Sequence, residues 1–206
     1  MKIIDPSYKI INMPDRQEIL THIENAARLC YKSEDKIKNG SASKLLKALA
    51  KSGHHSVFEH ISVSVLIICD RGVSHELVRH RLASFSQEST RYANYSKEKF
   101  GKEIIVIRPS FWKEDEAKFT RWRYLMRESE FVYMNLIDMG ATPQEARTVL
   151  PNSLKTEIMV TTNLREWRHI FKLRTSNASH PQIREIMIPL EKEFIAIFPE
   201  FFGENE

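Results

Sequence analysis

The six glycines of this 206-residue chain, Gly40, Gly53, Gly72, Gly101, Gly140 and Gly203, stand too far apart to form either glycine-rich phosphate loop of the nucleotide-binding α/β proteins. Neither GxGxxG nor a Walker loop is present, so a bound nucleotide must be held by arginines and helix N-termini instead. Strand-like and helical segments also follow one another without a repeated βαβ rhythm. The expected fold class is therefore α+β, with mixed helices around a small central sheet, rather than a doubly wound parallel sheet.

Lys9 to Met13 reads as a short strand, and Pro14 opens a helical pattern through Ile19, Leu20, Ile23, Ala27 and Cys30. A polar loop over Ser33 to Ser41 leads to an amphipathic helix marked by Leu45, Leu46 and Leu49, which Gly53 is suited to end. The β-branched run from Ile61 to Cys69 predicts a strand, followed by a turn over Asp70 to Gly72 and a helix capped by Ser74. A second strand over Ile104 to Ile107 precedes a long helix from about Lys113 to Met139. Thr142-Pro143-Gln144-Glu145 is a capping box with proline at the first helical position, and it places Arg147 near the start of a short helix limited by Pro151. A strand over Glu157 to Thr162 leads into Asn163-Leu164-Arg165-Glu166, a second capping-box pattern, and a helix reaching Arg174. A last helix begins near Pro181.

The length suits one domain over residues 1–206. With 42% hydrophobic and 28% charged residues the composition is that of an ordinary folded soluble protein. The longest apolar run, Val65 to Cys69, is too short to cross a bilayer, and Met1 to Pro6 lacks the apolar core of a leader. Cys30 and Cys69 form no CxxC pair and read as two small buried hydrophobes in a reducing compartment, so a cytoplasmic location is expected. The net charge of +4 suits anionic small molecules and nucleic acid equally.

Arg79-His80-Arg81-Leu82-Ala83-Ser84-Phe85-Ser86-Gln87-Glu88-Ser89-Thr90-Arg91 concentrates three guanidinium groups, an imidazole and several hydroxyls in one segment without lysine. Guanidinium forks with hydroxyl and backbone donors form an anion cradle; the plainer reading is a solvated charged helix face. The eight histidines include no HExxH or comparable ligand pattern, so no metal site is expected. Neither cysteine has the surroundings of a nucleophile, and Ser89 lacks the glycines of a nucleophile elbow.

Arg79-His80-Arg81, then seven residues, Ser89 and Arg91-Tyr92, resembles the signature of the flavin-dependent thymidylate synthases. His54-His55-Ser56-Val57-Phe58-Glu59-His60 resembles the family's upstream loop, Ala146-Arg147-Thr148-Val149-Leu150-Pro151 its internal helix, and Asn163-Leu164-Arg165 with Leu173-Arg174 its C-terminal region. Ordered matches from Ala26 to about Ile186 carry the resemblance far beyond a single triplet.

The resemblance implies reductive methylation of dUMP to dTMP, with 5,10-methylenetetrahydrofolate as carbon donor, reduced FAD as hydride donor and NADPH as the reductant of FAD. It implies a nucleotide site of Glu76, Leu77, Val78, Arg79, Gln87, Glu88, Ser89, Thr90, Arg91, Arg147 and Arg174. Arg174 would lie by the uracil and stabilise negative charge developing there, since a guanidinium cannot act as a base. The implied FAD site comprises Ser56, Arg79, His80, Arg81, Gln87, Asn163, Leu164, Arg165 and His169, with His54 placing folate or flavin. A homotetramer with active sites shared between subunits is implied, with neither nucleic acid nor membrane as partner. Four positions depart from the pattern of the resembling family: Glu76 replaces a glutamine found in some members, Ser86-Gln87 replaces their Asn-Glu, and His169 replaces an asparagine. Thr175 to Ser179 departs as well. From residue chemistry alone the competing function is a non-enzymatic nucleic-acid-binding protein that uses Arg79 to Arg91 with Phe85, Tyr92 and Tyr95.

Overall fold

Asp15, Asp70, Thr142 and Asn163 each lie just before the first turn of a helix, and three of them, Asp15, Asp70 and Asn163, accept a backbone N–H three residues on. In the computed structural model, which describes residues 1–203, the elements are β1 (Lys2–Ile4), β2 (Ser7–Asn12), α1 (Arg16–Leu29), α2 (Ser41–Lys51), β3 (Ser62–Asp70), α3 (Arg71–Leu77), β4 (Ser84–Gln87), β5 (Ile105–Ile107), α4 (Ala117–Asp138), α5 (Pro143–Ala146), β6 (Lys155–Asn163), α6 (Leu164–Arg174), α7 (Pro181–Ile197) and α8 (Pro199–Phe202). Short 3-10 segments occupy Glu34–Lys36, His55–His60, Glu98–Phe100 and Arg147–Val149. The strands form a four-stranded sheet in the order β2-β3-β6-β4 and a parallel pair of β1 with β5, in which Ile3 stands opposite Val106. This is the expected α+β arrangement of helices with small sheets. No described helix is long and apolar enough to cross a membrane.

The chain divides into two compact units. The first comprises Met1–Tyr8, Leu66–Arg79 and Phe85–Met159; the second comprises Lys9–Val65, His80–Ser84 and the residues from Val160 onward. In the first, Tyr95, Ile104, Val106, Met126, Tyr133, Ala146 and Leu154 form a buried cluster against α4 and α5. In the second, Phe58 stacks on Phe201 with ring centroids 3.9 Å apart, and Trp167, Phe171, Phe194 and Phe202 pack edge to face and tilted around them. Each such ring contributes on the order of 2–3 kcal/mol by burial. The aromatic cluster therefore anchors the inner face of α6, and the indole N–H of Trp167 donates to the Val63 carbonyl at 3.1 Å.

Several expectations are corrected. Asp70 ends β3 and caps α3 directly, accepting from Val73 N at 2.7 Å, so there is no intervening turn. Ser74 lies inside that helix and returns its hydroxyl to the Arg71 carbonyl. Cys30 is exposed and only Cys69 is buried, because Cys30 follows the last turn of α1 beyond its buried stripe of Ile19, Leu20, Ile23 and Ala27. Strands β1 and β4 and helix α8 are additional to the expected elements. Gly53 and Gly140 take φ of 77° and 95° after α2 and α4, the left-handed turn glycine permits there.

Candidate functional site

Helix α6 divides sharply around its circumference. Leu164, Trp167, Ile170 and Phe171 are buried. Arg165, Arg168, His169 and Lys172 line a cleft of about 550 Å3, together with His55, Thr175, Ser176 and Glu191. The 165, 168, 169, 172 spacing is one face of a helix, and it collects three permanent or near-permanent cations at one wall. Arg165 pairs with Glu59 at 2.5 Å, and the Arg168 guanidinium lies 4.8 Å from the Phe201 ring centroid, so both are held from behind. Such a wall suits a phosphate or diphosphate.

Asn163 caps α6, accepting the Glu166 N–H at 2.9 Å. The capping box expected there is not completed. Glu166 is buried, and its Oε1 instead lies 3.4 Å from His80 Nδ1. On the other side of the imidazole, Arg174 Nε donates to His80 Nε2 at 3.0 Å. Burial, then the charges of Arg174 and His169, lowers the His80 pKa to about 4, so the ring is neutral at physiological pH. Burial raises the Glu166 carboxyl above the usual range, against the opposing pull of His169 and Arg165.

One ligand atom each of His80, Glu166 and His169 lies within 4.8 Å of the others. This donor set does not fit a cation. A guanidinium already uses the His80 Nε2 lone pair, which leaves the proton on Nδ1, and Arg165, Arg168 and Lys172 line the cleft with His169.

The remaining expected residues fall into two groups. The first unit contains Glu76, Leu77, Val78, Arg79, Gln87, Glu88, Ser89, Thr90, Arg91 and Arg147; the second contains His54, Ser56, His80, Arg81, Asn163, Leu164, Arg165, His169 and Arg174. The residues expected at the nucleotide thus share the first unit apart from Arg174, and those expected at FAD share the second apart from Arg79 and Gln87. Gln87 Nε2 donates to Ser74 Oγ at 2.9 Å and to Thr156 Oγ1 at 3.1 Å, fixing β4. Glu88 pairs with Lys155 at 3.0 Å, and Lys155 also contacts Glu157 at 2.5 Å. Burial of Lys155 lowers its pKa, but the hydrogen bonds it donates to Glu157 and Glu88, with the charges of both carboxylates, outweigh this and raise it. Ser89 Oγ accepts from Arg91 N at 3.3 Å, a local turn contact. Arg79, Arg81, Arg91 and Arg147 are exposed, whereas Leu77 and Leu164 are core residues whose side chains face the interior. His54 and Ser56 are exposed at the 3-10 segment before β3.

Sequence reasoning missed Arg168, Lys172, Glu166 and Glu191. The first two were accessible from the i, i+3, i+4, i+7 repeat of basic and imidazole side chains opposite the apolar face of α6.

A family model described as thymidylate synthase complementing protein matches residues 11–200. The chain belongs to this family. Relatives named flavin-dependent thymidylate synthase include that of Pyrococcus furiosus, 35% identical over 155 residues, covering 75% of this chain and 63% of the relative. The Geobacter sulfurreducens relative is 33% identical over 186 residues, covering 87% of this chain and 78% of the relative. The chain thus spans just under two thirds of the Pyrococcus furiosus protein. The crystal structure of a UMP/dUMP methylase, PolB from Streptomyces cacaoi, bound with 5-Br dUMP, superimposes with a TM-score of 0.80 at 23% identity, covering 98% of this chain and 96% of that one. The thymidylate synthase complementing protein family and PolB therefore share this fold.

Proposed function

We propose that the chain is a flavin-dependent thymidylate synthase that methylates dUMP to dTMP, with 5,10-methylenetetrahydrofolate as carbon donor, FAD as the flavin and NADPH as its reductant. The observation that carries this reading is the family match over residues 11–200, which encloses every candidate residue from His54 to Arg174. Residues 1–206 are read as one functional domain in a homotetramer with shared active sites, in the cytoplasm.

FAD supplies the hydride when bound, so the protein itself needs no nucleophile. Neither cysteine competes for that role: the Cys69 thiol is pushed up to about 12 by burial and by Asp70. The basic wall of Arg165, Arg168 and Lys172 fits the FAD diphosphate, with Asn163, His80, Arg81 and His169 as further contacts and Ser56 serving a neighbouring copy. Arg79, Ser89, Thr90, Arg91 and Arg147 supply cationic and hydroxyl donors for the nucleotide phosphate. Glu76, Val78, Gln87 and Glu88 border the nucleotide, and Leu77 and Leu164 contribute through their backbones. Arg174 stabilises negative charge developing on the uracil ring. His54 helps to place the folate.

The test is product formation. The purified chain with FAD, NADPH, 5,10-methylenetetrahydrofolate and dUMP should release dTMP, and omission of any one should abolish it. No dTMP from the complete mixture contradicts the reading.

A further inference from the structure

Glu166 occupies the position from which a glutamate ordinarily completes a capping box. Glu18 and Glu145 do this at α1 and α5, accepting the N–H of Asp15 at 3.0 Å and of Thr142 at 2.7 Å. At α6 only the Asn163 half of the box forms, and the Glu166 carboxylate turns to His80. A contact that contributes to helix stability is thus absent where a contact to an imidazole is present.

The proton positions follow from the donors. Arg174 Nε carries a hydrogen and no lone pair, so His80 Nε2 must be the acceptor of the 3.0 Å bond. A neutral imidazole has one ring proton, which then resides on Nδ1, the nitrogen facing Glu166 Oε1. The opposite tautomer would set an N–H against the Arg174 N–H and a lone pair against the carboxylate. We propose that Glu166 is a positioning residue that holds His80 in its Nδ1–H tautomer and, through His80, orients the Arg174 guanidinium for its work on the uracil. The inference rests on the role given to Arg174 under the proposed function. His80 stands between the two, with Glu166 Oε1 3.4 Å from its Nδ1 and Arg174 Nε 3.0 Å from its Nε2.

The full-length chain, labelled with 15N-histidine, tests this directly. His80, assigned by its loss in His80→Gln, should show a protonated Nδ1 and an unprotonated Nε2 at pH 7. Glu166→Leu, which frees the ring to turn away from Arg174, should add an Nε2-protonated population, while Glu166→Gln, whose amide oxygen still accepts, should retain the single tautomer. Turnover should follow the same order. Loss of the carboxylate facing the imidazole corresponds to about a tenfold fall in kcat for Glu166→Leu, with recovery to within about threefold in Glu166→Gln and little change in the KM for dUMP. A protonated Nε2 in the unmodified chain, or an unchanged tautomer in folded Glu166→Leu, overturns the proposal. A chain that makes no dTMP under any condition contradicts the functional reading instead, while the resonance pattern still decides the tautomer.

Discussion

Arg174 Nε donates to His80 Nε2 at 3.0 Å across 94 positions of sequence, and this bond requires a neutral imidazole. His80 has a folded-state pKa lowered to about 4 from its ordinary 6.5, by burial first and then by Arg174 and His169. In the unfolded chain the ring takes up its proton near pH 6.5, whereas the folded chain resists until about pH 4. The unfolded state therefore binds more protons in that window, and stability falls as pH falls through it. Glu166 has the opposite sign: its raised pKa means that ionisation costs stability as pH rises above the ordinary carboxylate value. Urea unfolding between pH 7 and 4.5 should show a loss of about 2–3 kcal/mol attributable to His80. His80→Gln should flatten that limb; an identical slope in the variant contradicts the assignment.

Asn163 caps α6 and is proposed to contact FAD, and substitution can separate the two. Its Oδ1 caps α6, so Asn163→Ala should cost about 1 kcal/mol in urea unfolding. Asn163→Asp keeps the cap acceptor but adds a negative charge at the proposed FAD contact. It should leave the unfolding midpoint nearly unchanged and weaken FAD retention severalfold, measured by fluorescence titration. Equal loss of stability in both variants would show that the cap acceptor is not what matters.

The helix starts at Asn163 and Thr142 were legible because a cap acts within one turn, and the strands over Ile61 to Cys69 and Glu157 to Thr162 were legible from alternation. Asp70 was misread because an aspartate after a strand serves a turn or a cap equally well until the following backbone is known. Ser84–Gln87 carries no hydrophobic alternation of its own; its place beside β6 comes from Gln87 reaching Thr156. The Arg174, His80 and Glu166 arrangement was illegible for a related reason. Each residue had a local explanation, and only the tertiary fold sets them against one another.

Lys155 is largely buried between Glu88 and Glu157. Lys155→Met should leave the two carboxylates uncompensated and cost about 1–2 kcal/mol, less than for a fully enclosed pair because Glu157 is partly solvated. Adding Glu157→Gln should recover part of that loss in a urea-denaturation cycle. Additive destabilisation would argue that the three groups are uncoupled.

Arg174→Ala should lower kcat for dTMP formation by about 10²–10³ with a native circular-dichroism spectrum, since its proposed role is to stabilise charge developing on the uracil. Cys30→Ala and Cys69→Ala should remain active. A folded Arg174→Ala chain with unchanged turnover would remove the electrostatic role assigned to it.

In the proposed reaction one chain passes reducing equivalents from a nicotinamide through a flavin to a methylated uracil. Anaerobic absorbance spectroscopy of the FAD-loaded chain addresses it most directly. The oxidised protein should be yellow, bleach with NADPH, and regain its colour when 5,10-methylenetetrahydrofolate and dUMP are added together but with neither alone. Failure to bind FAD, or colour that never returns on adding both substrates, would contradict the account.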